Sequence, residues 1–240
     1  MIRILLIKVG DTFEALKKRQ GDFEDMISAA LGDTPLRFTL YDPRKMSPHP
    51  PLADFQGVII TGSHTMVSEE EPWSEAMLPY ISQMHRLNIP LLAICYGHQL
   101  VAKALGGKVG FHPLGPEPGT VAVTLTPQGK DDVLMGGLPS TFQVNVAHSQ
   151  TVIQKPKGAV VLASNSFEPH QALRIGNIWS VQFHPEFNGA TTRYYVREIG
   201  AQIRQYNGDV DAIYRTCQDT PHSKELLTRF VNFCRTYHTQ

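Results

Sequence analysis

The chain has 240 residues, with 22 Lys and Arg against 22 Asp and Glu, so its formal net charge is zero. That balance offers no electrostatic footprint for nucleic acid or an anionic membrane, and no apolar run approaches the roughly 20 residues a spanning helix needs. Apolar residues at 42% and charged residues at 18% suit a folded globule rather than a disordered chain, and at this length one α/β domain is expected.

The start, Met1 to Ile7, holds one basic residue and a short apolar stretch, then runs into Lys8 and Asp11 without a small-residue cleavage site. It reads as a buried strand, Ile2–Ile7, and not as a signal peptide. Residues 13–31 read as helical, with Phe23, Met26, Ile27, Ala30 and Leu31 at helical spacing and Gly21 marking a break. Leu36–Tyr41 is a second strand. Prolines 43, 48, 50 and 51 make the next stretch a loop. Residues 57–61 form a third strand, ending in Gly62-Ser63. A helix follows from Trp73 to Leu87, with Pro72 suiting its first turn. Residues 90–94 form a fourth strand, which stops at Cys95, and residues 97–105 are helical until Gly106-Gly107 ends them.

After this the pattern changes. Segments 121–126, 142–146, 159–163, 172–175 and 178–183 are short and separated by turn residues, which predicts a mixed or antiparallel extension. The last 40 residues return to helix, with Leu226, Leu227, Phe230 and Phe233 as an apolar face. The alternation of strands and helices predicts an α/β fold with a mostly parallel sheet and helices on both faces. Residues 1–200 would form the domain, and 201–240 a helical C-terminal extension packed on it.

Three cysteines, Cys95, Cys217 and Cys234, cannot all pair, so a reducing cytoplasm is expected. Cys217 and Cys234 sit in the helical tail and read as packing or surface cysteines. Cys95 differs. A strand that ends in a nucleophile and turns at once into a helix holds the side chain over the sheet edge, where helix N–H groups favour thiolate. Such a turn needs small residues two positions either side, and Ala93 and Gly97 meet that need. A buried core cysteine is the bland alternative for this segment alone.

A thiol needs a base, and the base an orienting group. His184-Pro185-Glu186 follows an apolar strand, so it also falls at a strand end, where ligand sites gather in open α/β sheets. A carboxylate two residues from a histidine can fix its tautomer and stabilise its charged form. His49, His85, His170, His222 and His238 show no such partner pattern. No histidine pair has metal-ligand spacing, so neither zinc nor another metal is expected.

Together, Ile94-Cys95-Tyr96-Gly97-His98-Gln99 with Gly106-Gly107, Val181-Gln182-Phe183-His184-Pro185-Glu186, and the loop Thr61-Gly62-Ser63 resemble the class I glutamine amidotransferase family. The resemblance covers roughly residues 1–200, with the motifs in the family's order. Its closest look, including Glu70-Glu71-Pro72-Trp73, is of stand-alone proteins similar to the glutaminase domain of GMP synthase. It implies a single flavodoxin-like open sheet and no cofactor. It also implies a triad in which Cys95 attacks the glutamine side-chain amide, His184 moves the protons and Glu186 orients His184. The product would be a γ-glutamyl thioester, then glutamate and ammonia.

By the same resemblance, the backbone N–H groups of Tyr96 and Ser63 form an oxyanion hole, and Gly62 is a substrate-binding position. The family often has Gly-Gly-Pro where this chain has Gly62-Ser63-His64, and usually glycine at Ala93. Gln99 matches a position that helps bind the α-amino acid end of the substrate. Val146-Ala147-His148-Ser149-Gln150 resembles the family's Ser-His-Gly stretch, which assigns Ser149 and Gln150 to substrate binding and His148 to the pocket wall. His98 packs behind the turn.

The partners implied are glutamine or another γ-glutamyl compound and a separate ammonia-accepting synthetase, because the chain holds no synthetase domain and no Walker-type phosphate loop. A homodimer through the helical tail is a further option. The alternatives are a stand-alone γ-glutamyl peptidase or hydrolase, and a non-catalytic regulatory subunit suggested by Ser63 and Ser149. The papain and caspase cysteine signatures are absent, and no Gly-x-Gly-x-x-Gly follows the first strand.

Overall fold

A computed structural model describes residues 2–237; His238 lies outside them. The chain runs β1 (Ile2–Ile7), α1 (Glu14–Gln20), α2 (Phe23–Leu31), β2 (Leu36–Tyr41), β3 (Gly57–Ile60), α3 (Pro72–Arg86), β4 (Leu91–Ile94) and α4 (Tyr96–Ala104). Then come β5 (Lys108–Phe111), β6 (Glu117–Leu125), α5 (Pro127–Lys130), β7 (Thr141–His148), β8 (Gln150–Gln154), β9 (Val160–Ser164), β10 (Ala172–Ile175) and β11 (Ile178–Val181). Four helices close the described chain: α6 (Gly189–Glu198), α7 (Gly200–Gln205), α8 (Val210–Thr216) and α9 (Pro221–Tyr237). Among the described residues no helix is long and apolar enough to cross a membrane.

Nine strands form one sheet in the order β2-β1-β3-β4-β11-β10-β9-β6-β7. The first five are parallel, and the last four join through antiparallel pairs. Strands β3, β4 and β11 are buried along their whole length, as expected for parallel strands covered on both faces. The period of two is visible in β1. Ile4 and Leu6 join the core with Ile27, Leu227 and Phe230, while Leu5 and Ile7 join the opposite core with Met77, Ile81 and Leu100. Helix α9 packs against β7 and α2, and α8 against β6.

The helix expected over residues 13–31 is two helices. Gly21 takes a positive φ of 83°, which glycine adopts without a Cβ penalty. Asp22 then restarts the helix, exchanging side-chain and backbone bonds with Asp25 as a capping box. The structure also adds a small antiparallel sheet, β5 with β8, which the sequence reading lacks. Its strands carry Gly110 and alternate weakly, so they present no clear period.

Behind β11, Asp132 is a hub. Its carboxylate accepts from the Trp179 indole at 3.1 Å and from Arg174 at 2.9 Å, and from the backbone N–H groups of Leu134 and Met135. Trp179 is fully buried, so its indole needs such a partner.

Candidate active site

Strands β4 and β11 lie side by side and parallel, with Ile94 opposite Val181. Their carboxyl ends therefore deliver Cys95 and the His184 segment to the same edge of the sheet. The backbone N–H of Cys95 donates to the Val181 carbonyl at 2.8 Å, and that of His184 to the Asn145 carbonyl at 2.8 Å. Cys95 itself has φ 50° and ψ −100°, a conformation that costs an L-residue roughly 1–3 kcal/mol. It forms a tight turn between β4 and α4. Gly97 allows it: a Cβ there would lie 2.9 Å from Ile60 Cγ2, so only glycine lets α4 close on β3.

His184 and Cys95 both flank Gly62, and His184 Nδ1 meets Glu186 Oε1 at 2.8 Å. All three residues are buried. Burial disfavours a charged ring, but the Glu186 carboxylate and the Cys95 sulfur outweigh it and push the imidazole up to about 10. Phe187 stacks on the ring at 4.0 Å and holds its plane. Gln182 points its amide at Cys95 Sγ, 3.6 Å away. The same side chain accepts from Gln99 at 3.1 Å, and Gln99 also donates to the Gln150 carbonyl at 2.9 Å.

A cavity of about 230 Å³ opens over Cys95. Ser63, Tyr96, Gln99, His148, Ser149 and Gln150 all line it. Gly62 lies under it: a Cβ at Gly62 would come within 2.8 Å of His184 and 3.6 Å of the Cys95 Cβ. Ser63 stays out of the left-handed region, so serine carries no backbone strain in place of glycine. Its hydroxyl turns to Thr65 at 2.7 Å. His148 is a wall residue, held between Glu117 at 2.9 Å and the Gln150 carbonyl at 2.9 Å. His98 packs behind the turn against Ser180 at 2.8 Å. Burial, with His170 and His148 nearby, drops its ring to about 3 and keeps it neutral.

Sequence reasoning missed part of the wall. Phe13, His64, Met66, Tyr195, Ile199 and Gln202 also face the cavity. Gln202 belongs to the stretch after residue 200, to which no chemistry was assigned, and it donates to Ser149 Oγ at 2.9 Å. Cys217 and Cys234 are buried packing residues, and burial raises both thiols.

The chain belongs to the class I glutamine amidotransferase family. The family's sequence model, Glutamine amidotransferase class-I, matches residues 21–199. A glutamine-hydrolyzing GMP synthase of Aeropyrum pernix is 39% identical over 131 residues, covering 54% of this chain and 24% of that protein. A gamma-glutamyl-L-1-hydroxyisopropylamide hydrolase of a Pseudomonas species is 28% identical over 187 residues, 75% of this chain and 62% of that protein. The chain thus spans about a quarter of the first relative and about three-fifths of the second. A glutamine amidotransferase structure from Thermotoga maritima superposes with a TM-score of 0.72 over 97% of this chain and 96% of that one, at 20% identity, and shows the same fold.

Proposed function

We propose that the chain hydrolyses the amide bond of γ-glutamyl compounds through a Cys95–His184–Glu186 triad. The observation that carries this reading is that Cys95 and His184 flank Gly62 beneath an open cavity at the ends of two adjacent parallel strands, all buried, with Glu186 bonded to the His184 ring. With His184 holding the catalytic proton, the Cys95 sulfur attacks the γ-carbonyl carbon. The oxyanion forms beside the backbone N–H groups of Tyr96 and Ser63, donors of a kind worth about 10²–10³ in rate each. The imidazolium gives its proton to the amide nitrogen, the C–N bond breaks, and the amine leaves. Water then yields a proton to His184 as its oxygen attacks the thioester. Glutamate departs, and the sulfur and imidazolium are restored.

Glutamine is the simplest such substrate. The likeness to a glutamine-hydrolyzing GMP synthase supports a second reading, in which the ammonia passes to a separate synthetase. The relative that acts on a γ-glutamyl hydroxyisopropylamide supports stand-alone hydrolysis of substituted amides. Incubation of the reduced protein with glutamine and a set of γ-glutamyl amides, beside Cys95→Ala, tests the proposal. Amine or ammonia release by the wild type alone is expected. Release by neither protein, or equally by both, refutes it.

A further inference from the structure

Two kinds of wall meet at Cys95. Polar side chains reach it through Gln182, which binds Gln99, which in turn binds the Gln150 carbonyl. Rings reach it through His184. Phe23 lies 6.1 Å from His184, nearly parallel to it, and 6.3 Å from His64. His64 lies 4.4 Å from Phe13, and Phe13 lies 5.0 Å from Tyr195.

Two polar groups of this ring wall, one on His64 and one on Tyr195, are turned on one another. The Tyr195 hydroxyl sits 3.0 Å from His64 Nε2 and 2.8 Å from the Thr12 hydroxyl. Burial, with the charge of His184 next, lowers the His64 ring below its ordinary value. The rings of Phe13, His64 and Tyr195, with Met66 and Ile199, thus supply an apolar part of the lining, beside polar groups such as Gln99, Ser149 and Gln150. Such a surface suits an apolar group and gives a strongly hydrated one nothing to replace its water.

His184 is the group that hands a proton to the departing nitrogen. The substituent on that nitrogen must therefore lie on the side of His184, where the rings are. Resting on the hydrolase reading above, we propose that Phe13, His64, Met66, Tyr195 and Ile199 form a leaving-group subsite for an apolar, ring-bearing amine. The preferred substrate class is then an N-aryl or N-arylalkyl γ-glutamyl amide rather than glutamine. Hydrolysis follows the same steps: the C–N bond breaks, the arylalkylamine takes the His184 proton, and water supplies the oxygen of glutamate. Binding energy from the remote ring is used to orient the amide over the sulfur, so a fitted substituent raises kcat/KM.

The experiment compares kcat/KM for glutamine, γ-glutamyl methylamide, γ-glutamylglycine and γ-glutamyl benzylamide with the wild-type chain. The benzylamide is expected to exceed the methylamide and γ-glutamylglycine by about tenfold or more. In Phe13→Ala the benzylamide-to-methylamide ratio falls by about tenfold. In Ile199→Ala, a second variant on another element, it falls by severalfold. Turnover of all four amides at similar rates overturns the subsite and leaves the hydrolase reading standing. So does an unchanged ratio in both variants. Turnover of none of them overturns the hydrolase reading and the subsite with it.

Discussion

Glu186 Oε1 meets His184 Nδ1 at 2.8 Å across a single proline, with both side chains sealed from water. The short link makes the carboxylate part of the ring's electrostatics, and it sets a pH signature. The folded His184 titrates at about 10 against an ordinary value near 6.5. A group whose affinity for its proton rises on folding stabilises the fold below its unfolded value and loses that contribution as pH climbs through its folded one. The wild type is expected to lose thermal stability between about pH 6.5 and 10, and Glu186→Gln to show a shallower loss, in parallel melting series. The basic limb of kcat/KM is expected near pH 10 in the wild type and at lower pH in the variant. Coincident profiles contradict the assignment.

Cys95→Ala and Cys95→Gly should both lack turnover, but they should differ in stability. Glycine relaxes the φ of 50° that alanine keeps, a saving of about 1–3 kcal/mol, whereas an ordinary alanine-to-glycine exchange in a helix costs about 1 kcal/mol. Denaturant titration of the two variants should find the glycine variant the more stable. The reverse order means the turn is not strained.

Gly62→Ala places a methyl where His184 Cε1 lies 2.8 Å away. The imidazole must move, and a shift of about 1 Å in a reacting group costs about 10² in rate. The expected result is a fall of that size in kcat with the melting temperature nearly kept. Wild-type kcat in this variant would show that the ring does not have to hold its position.

Asp132→Ala tests the support behind β11. It leaves the buried Trp179 indole without its acceptor and frees Arg174, at a cost of about 3 kcal/mol. Chemical denaturation measures it, and a loss below about 1 kcal/mol contradicts the role given to this carboxylate.

Most of the parallel half was legible because apolar runs such as Leu91–Ile94 are continuous and closed by turn residues. The Cys95 turn was legible for a local reason, since Ala93 and Gly97 flank it. His184 and Glu186 were legible because only one residue separates them. The ring wall was not. His64 meets Tyr195 across 131 positions, and Thr12 meets it across 183, so no window of sequence contains the set. Gln202 was hidden in the same way, since its only signal is contact with Ser149. The β5–β8 pair escaped because neither strand carries a clear alternation.

The adjacency of β4 and β11 has a consequence for synthesis. Gln182, whose amide reaches the Cys95 sulfur, comes 87 positions later in the chain, and all of β5 to β10 is made in between. At ribosomal speeds of about 5–20 residues per second, that is a delay on the order of ten seconds. Throughout it the Cys95 thiol lacks the His184 and Glu186 of the proposed triad. The proposed chemistry therefore becomes possible only once β11 and the residues after it have been made.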